Sequence, residues 1–151
     1  MDISEIKRRI EYCIDSIYIN DSDLFSRNNY EVTISTKLAQ YLFVEFRNYD
    51  VDCEYNKHFD GRKFVEELNA EVRPDIIIHK RGNDKDNLVY VEIKKEQNTT
   101  SRNYDYTKIQ ALTRRRGRQF KYKLGVFVDF AVKKENLKIV YFEDGREIKE
   151  V

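Results

Sequence analysis

Two apolar stretches decide the fold of this 151-residue chain: Arg73-Pro74-Asp75-Ile76-Ile77-Ile78-His79 and Leu88-Val89-Tyr90-Val91-Glu92-Ile93-Lys94. Both are rich in β-branched residues and short enough to be buried strands. The charged segment between them, residues 80–87, predicts a turn. We therefore predict that the two stretches form a β-hairpin.

The sequence before this hairpin predicts two helices and a strand. Apolar residues recur at helical spacing over residues 3–19 and again over 30–46, with Asn28 or Asn29 as the candidate cap of the second helix. Strict alternation over residues 51–55 then indicates a half-buried strand. A polar segment without clear periodicity separates it from the hairpin.

The sequence after the hairpin predicts a helix and two strands. The helix spans about 104–116 and is closed by Gly117, and the strands cover 125–130 and 137–142. A helix between two strands of one sheet implies a crossover, so part of the sheet is expected to be parallel. The fold class predicted is α/β with a mixed sheet, and the length of the chain fits a single domain over residues 1–151.

Charge is segregated along the chain. The net charge is only +1, but residues 73–123 contain 14 Lys and Arg against 6 Asp and Glu. Such a distribution favours a surface for a polyanion such as nucleic acid.

The cysteines and the hydropathy exclude other classes. Cys13 and Cys53 lack the spacing of a zinc site or a disulfide framework, so both are predicted to be reduced core thiols. No stretch approaches the roughly 18 apolar residues of a membrane span, and we expect a cytoplasmic protein that has no membrane partner.

The candidate residues for metal binding and catalysis are Asp75, Glu92 and Lys94. Residues two apart in a strand share a face, so Glu92 and Lys94 project together while Ile93 points into the core. If the hairpin pairs as predicted, Asp75 lies beside Glu92. Neighbouring carboxylates repel each other unless a cation lies between them, and oxygen ligands suit Mg²⁺ or Mn²⁺. The main-chain carbonyl of Ile93 is the candidate third oxygen.

These residues resemble the PD-(D/E)XK nuclease superfamily, which has the restriction-endonuclease-like fold. The resemblance rests on Pro74-Asp75, on Glu92-Ile93-Lys94 and on the predicted α-β-β-β-α-β order over residues 30–130, to which the helix at 3–19 is an N-terminal addition. More narrowly, the segments 51–56, 73–82 and 87–94 are similar to a group of small, uncharacterised prokaryotic proteins of this fold.

The resemblance implies a Mg²⁺-dependent phosphodiesterase. It implies Asp75 and Glu92 as metal ligands, Lys94 beside the attacking water, and Glu31, on the preceding helix, reaching the metal cluster. The alternative for the strand residues is that they are ordinary strand-end carboxylates paired with nearby cations. Glu31 is equally explained by its favourable position in the first turn of a helix.

A basic tract follows the site residues. It comprises Arg114, Arg115, Arg116, Arg118, Lys121 and Lys123. Six cations exceed what helix capping needs, so we expect them to contact phosphates. Lys108 is assigned to the same nucleic-acid interface, although an i,i+3 pair with Asp105 explains it equally well.

The function predicted from the sequence is a Mg²⁺- or Mn²⁺-dependent nuclease, for which we favour DNA as the substrate while the sequence leaves RNA open. A small domain that cuts both strands would favour a symmetric homodimer. The alternative is a non-catalytic nucleic-acid-binding or regulatory module with the same fold. A protein-interaction module would be favoured if the basic tract were buried.

Overall fold

A computed structural model describes residues 1–26, 30–116 and 120–149. Its four α-helices are α1 (Ile3–Asn20), α2 (Asp23–Ser26), α3 (Glu31–Glu45) and α4 (Asn103–Thr113). The helix predictions are confirmed for α1, α3 and α4. The predicted capping roles of Asn28, Asn29 and Gly117 lie outside the described residues.

The principal sheet has six strands in the order β1-β6-β7-β8-β9-β10. Their bounds are β1 Asp50–Cys53, β6 Ile76–His79, β7 Val89–Lys95, β8 Leu124–Phe130, β9 Lys138–Glu143 and β10 Arg146–Glu147. Only β7 and β8 are parallel, and α4 makes the crossover between them. The prediction of an α/β fold with a mixed sheet is confirmed.

Two layers of helix cover the sheet on opposite faces. The helices α1 and α3 pack with Ile76, Ile78 and alternate residues of β7 and β8, whereas α4 packs with Ile77, Tyr90 and Phe127 on the other face. This alternation follows from the two-residue period of a strand. The central strands are therefore buried on both faces, which explains their continuous apolar runs.

Helix α4 lies close to the sheet because of Gly125 in β8. A Cβ atom at this position would lie 2.1 Å from Cγ2 of Ile109 and 2.9 Å from Cγ2 of Thr113. The helix ends at Thr113 rather than at the predicted residue 116. The backbone N–H of Tyr122 donates to the carbonyl of Leu112 at 3.0 Å, so the returning chain satisfies a carbonyl of the last turn.

The polar segment between β1 and β6 is more ordered than the sequence indicated. It forms two short antiparallel pairs, β2 (Lys57–His58) with β3 (Gly61–Arg62) and β4 (Phe64–Val65) with β5 (Ala70–Glu71). Strands of two residues are too short to show a period of two, so the sequence pattern did not predict them.

Two further predictions can be compared with the structure. Cys13 is buried as predicted, but the assignment of Cys53 to the core is wrong, because it lies at the exposed end of β1. No helix in the described residues is long and apolar enough to cross a membrane.

Candidate active site

The pairing of β6 with β7 brings the two predicted carboxylates together. Ile76 pairs with Val91 and Ile77 with Tyr90. Continued by one residue, this antiparallel register sets Asp75 directly opposite Glu92. Both side chains belong to the α4 face of the sheet. The hairpin and the juxtaposition predicted from the sequence are therefore confirmed.

Asp75 is anchored on the backbone of the neighbouring strand. Its Oδ2 accepts a hydrogen bond of 2.7 Å from the N–H of Ile93. Burial raises the pKa of Asp75, while this hydrogen bond and the ammonium groups of Lys108 and Lys94 oppose the rise. Since the N–H and C=O of a strand residue point to the same neighbouring strand, the carbonyl of Ile93 also faces Asp75. The side chain of Ile93 is in the core, as predicted.

Glu92 is the most deeply buried carboxylate of the site, with 3% of its surface exposed. Its Oε1 accepts hydrogen bonds from the hydroxyl of Tyr90 at 2.6 Å and from Nζ of Lys108 at 2.9 Å. Burial, reinforced by the charge of Asp75, raises the pKa of Glu92 to about 8, although Lys108 and Tyr90 oppose the rise. The charged form of Glu92 is therefore unfavourable at this position unless a cation lies nearby.

Two lysines and Asp105 complete a charged network around these carboxylates. Asp105 is buried on the first turns of α4, and its Oδ2 lies 3.3 Å from Nζ of Lys94. Its Oδ1 lies 2.9 Å from Nζ of Lys108. Burial alone would lower the pKa of Lys108, but the carboxylates of Glu92 and Asp105 raise it. Lys94 therefore projects beside Glu92 on the predicted face, with Asp105 as its ion-pair partner.

Glu31, the first residue of α3, lies at the end of β7. Its Oε2 accepts from the N–H of Lys95 at 3.0 Å, and its Oε1 accepts from Nδ2 of Asn98 at 2.7 Å. Its charge is close enough to contribute to the raised pKa of Asp75. Both of its oxygens are already engaged, so in this arrangement Glu31 ties α3 to the end of β7.

The network carries excess negative charge. It contains four carboxylates and two ammonium groups, a formal charge of −2: Glu31, Asp75, Glu92, Asp105, Lys94 and Lys108. Its oxygen donors suit a hard divalent cation. In residues 1–26, 30–116 and 120–149, no three His, Cys, Asp or Glu side chains converge as a metal-binding group. A cation here would therefore have two carboxylates, Asp75 and Glu92, with the Ile93 carbonyl and water as further ligands.

The basic tract lies at the opposite end of α4 from this network. Arg114, Arg115, Arg116 and Lys121 are exposed, so the condition that would favour a protein-interaction module is not met. Arg115 pairs with Glu143 at 2.8 Å. The tract starts nine residues after Asp105, roughly 14 Å along the helix axis. Arg118 lies outside the described residues.

Sequence reasoning missed the partners of Glu92. Tyr90 precedes Glu92 by two residues and so had to share its face, which was a usable signal. Lys108 was assigned to the nucleic-acid interface or to a pair with Asp105, and neither residue was identified as a partner of Glu92 or Lys94. Their contacts with Glu92 and Lys94 depend on how α4 lies across the sheet, and nothing local in the sequence encodes that placement.

Comparison of the chain with family models, with curated proteins and with solved structures finds no match in any of the three.

Proposed function

We propose that this protein is a Mg²⁺-dependent nuclease of the PD-(D/E)XK superfamily, with Asp75 and Glu92 as the metal ligands. The observation that carries the proposal is the register that opposes half-buried Asp75 and buried Glu92, with Lys94 on the same face. The order α3-β1-β6-β7-α4-β8 supports membership, because it is the α-β-β-β-α-β order that the sequence resemblance implied.

The chain supplies the other groups that phosphodiester hydrolysis needs. A bound divalent cation would polarise a phosphoryl oxygen and lower the pKa of a water molecule. Asp75 is held by Ile93 and Glu92 by Tyr90, so both carboxylates are fixed before a ligand arrives. The ammonium of Lys94 forms an ion pair with Asp105. In this proposal Lys94 orients the attacking water or stabilises negative charge in the transition state.

Lys108 has a different role in this proposal. Its ammonium contacts Oε1 of Glu92 and compensates the buried charge. We expect Oε2 to face the divalent cation, and we expect the Lys108 contact to lengthen when the cation binds. Lys108 then becomes available to a substrate phosphate, in keeping with its assignment to nucleic acid.

One observation favours the non-catalytic alternative. Lys108 already neutralises Glu92, and no third acidic side chain of the described residues joins the pair. A binding module that had replaced its metal with a lysine would show this arrangement. The two functions differ in one measurable property, which is divalent-dependent cleavage.

The test is a cleavage assay on single- and double-stranded DNA and RNA, with Mg²⁺, Mn²⁺ or EDTA. We expect wild-type protein to cleave DNA only with a divalent cation, and we expect Asp75→Ala to abolish cleavage with the circular dichroism spectrum unchanged. Asp15→Ala, which alters an exposed residue on the opposite face of the sheet, is the matched control and should keep full activity. Absence of divalent-dependent cleavage by wild-type protein would leave the binding module as the better account.

The oligomeric state belongs to the same proposal. A single site cuts one strand at a time, so double-strand cleavage favours a symmetric homodimer. Light scattering on the protein bound to duplex DNA is expected to give the mass of the duplex plus two chains.

A further inference from the structure

A second polar recess lies on the same face of the sheet as the candidate active site. It opens to solvent, and its lining includes Tyr55, Lys57, His58, Lys63, Asp84 and Phe120. His79, the last residue of β6, lies at its floor. His79 follows Asp75 by four residues, so the recess is about 13 Å from the candidate metal ligands along the strand.

Lys63 is the unusual residue of this recess. Only 3% of its surface is exposed. Its ammonium donates to the carbonyl of Lys57 and lies 4.6 Å from the centre of the Tyr55 ring. Among the residues that the structure describes, no carboxylate forms an ion pair with it. A buried ammonium without a counter-ion is costly, and it is rarely kept unless an anion binds there.

The charges around Lys63 do not compensate it. The recess is lined by three lysines and one aspartate, but the Lys80 ammonium lies over the ring of Tyr49 and Lys57 contributes the carbonyl that Lys63 contacts. The aspartate, Asp84, is engaged by Nε2 of His58 at 2.7 Å. Burial lowers the pKa of Lys63 to about 8, and the more distant charges of Asp84 and Asp52 only partly oppose this effect. An anion in the recess would supply the missing charge.

Lys63 is also firmly built into the fold. Its backbone N–H donates to the carbonyl of Asn56 at 2.6 Å, and its carbonyl accepts from the N–H of Val72 at 2.7 Å. These two bonds fix the Lys63 backbone between Asn56 and Val72. Because the Lys63 backbone is held by these bonds, we interpret its buried ammonium as part of the recess rather than as a surface lysine that has folded inward.

The hydroxyl of Tyr122 is a further buried polar group, and it lies outside the residues that line the recess. Tyr122 is fully buried, and its hydroxyl has no hydrogen-bond partner among the described residues. Burial raises the pKa of Tyr122, and the negative charge of Asp84 reinforces the rise. A buried hydroxyl without a partner calls for an explanation such as a bound water or ion. The Tyr122 ring also packs edge-on against Tyr90, whose hydroxyl donates to Glu92.

We propose that this recess binds one phosphate group of a nucleic-acid strand, with the Lys63 ammonium as its buried cation. The inference rests on the proposed nuclease function, because it places a second phosphate contact on the strand that enters the site. The separation of about 13 Å corresponds to roughly four phosphate spacings along the axis of a duplex strand. Phe120, which precedes Lys121 of the basic tract, lines the recess and contacts His58, so the recess adjoins the tract.

The first arm of the test measures binding of inorganic phosphate by calorimetry. Wild-type protein and Lys149→Met should bind it, because Lys149 is exposed beyond β10 at the opposite edge of the sheet. Lys63→Met should bind at least tenfold more weakly, the effect of losing a charged hydrogen bond. Equal phosphate affinity in wild-type and Lys63→Met would overturn the proposal.

The second arm identifies the source of the phosphate with a DNA that the wild-type protein cleaves. Lys63→Met should raise KM, leave kcat within about twofold, and make the slope of log affinity against log salt shallower by about 0.9. Loss of inorganic phosphate binding with unchanged KM and slope would overturn the nucleic-acid assignment in favour of a free phosphate or nucleotide. Because the first arm needs no cleavage, failure of the nuclease proposal and failure of this site are distinguishable.

Discussion

Replacing Lys63 by Met tests whether the structure buries an unpaired charge. Burial lowers the pKa of Lys63 from an ordinary 10.5 to about 8. This change corresponds to about 3 kcal/mol of folding free energy. Below pH 8 the lysine is charged in both the folded and the unfolded states, so the folded protein bears the full penalty. Between pH 8 and 10.5 only the unfolded state holds the proton, so the stability of wild-type protein rises with pH relative to the variant.

The expected result is a stability difference that depends on pH. Lys63→Met should be more stable than wild-type protein at pH 7, and about 2 kcal/mol of that advantage should disappear by pH 9.5. The hydrogen bond to the Lys57 carbonyl and the packing change contribute a constant offset, because neither titrates. Urea unfolding of both proteins from pH 6 to 9.5 measures the difference, with Lys149→Met as the surface control. A difference that stays flat with pH would refute the claim that the Lys63 ammonium is buried without a counter-ion.

Three further predictions concern the other parts of the molecule. Lys94→Ala should abolish turnover, but calorimetry should give the same Mn²⁺ affinity as for wild-type protein, because the Lys94 ammonium contacts Asp105 rather than the expected metal ligands. A loss of metal affinity equal to that of Glu92→Ala would assign Lys94 a different role. In the double variant Arg115→Gln, Arg116→Gln, the slope of log duplex affinity against log salt concentration should be shallower by about two if both residues contact phosphates. An unchanged slope would assign these residues to surface solubility and to the ion pair with Glu143. Gly125→Ala should destabilise the fold by about 1–3 kcal/mol in denaturant unfolding, because its methyl group would overlap Ile109; unchanged stability would mean that α4 packs less closely than described.

The fold was predictable where the apolar face of a helix or a continuous apolar run determines the local structure. The helix α1 shows this well, since Ile6, Ile10, Ile14 and Ile17 are all buried at the spacing that the sequence displays. The β6–β7 hairpin was predictable for the same reason, because strands buried on both faces read as apolar runs. The small pairs from β2 to β5 were not predictable, since each strand is too short to carry a pattern.

The candidate site was predictable in its strand residues and not in its helix residues. Asp75, Glu92 and Lys94 follow from strand parity and hairpin register, both of which are local properties. The contact of Lys108 with Glu92 depends on the seating of α4 over Gly125, a tertiary arrangement. Lys63 and Tyr122 could not be singled out either, because burial of one lysine and one tyrosine among many leaves no local signal in the sequence.

The central claim is that Asp75 and Glu92 bind a divalent cation, and a crystal structure of the protein soaked in Mn²⁺ tests it most directly. The account predicts an anomalous peak within coordination distance of one oxygen from each carboxylate, accompanied by a contact between Lys108 and Glu92 that is longer than the present 2.9 Å. Absence of a peak between these carboxylates at saturating Mn²⁺, with the Lys108 contact unchanged, would contradict it.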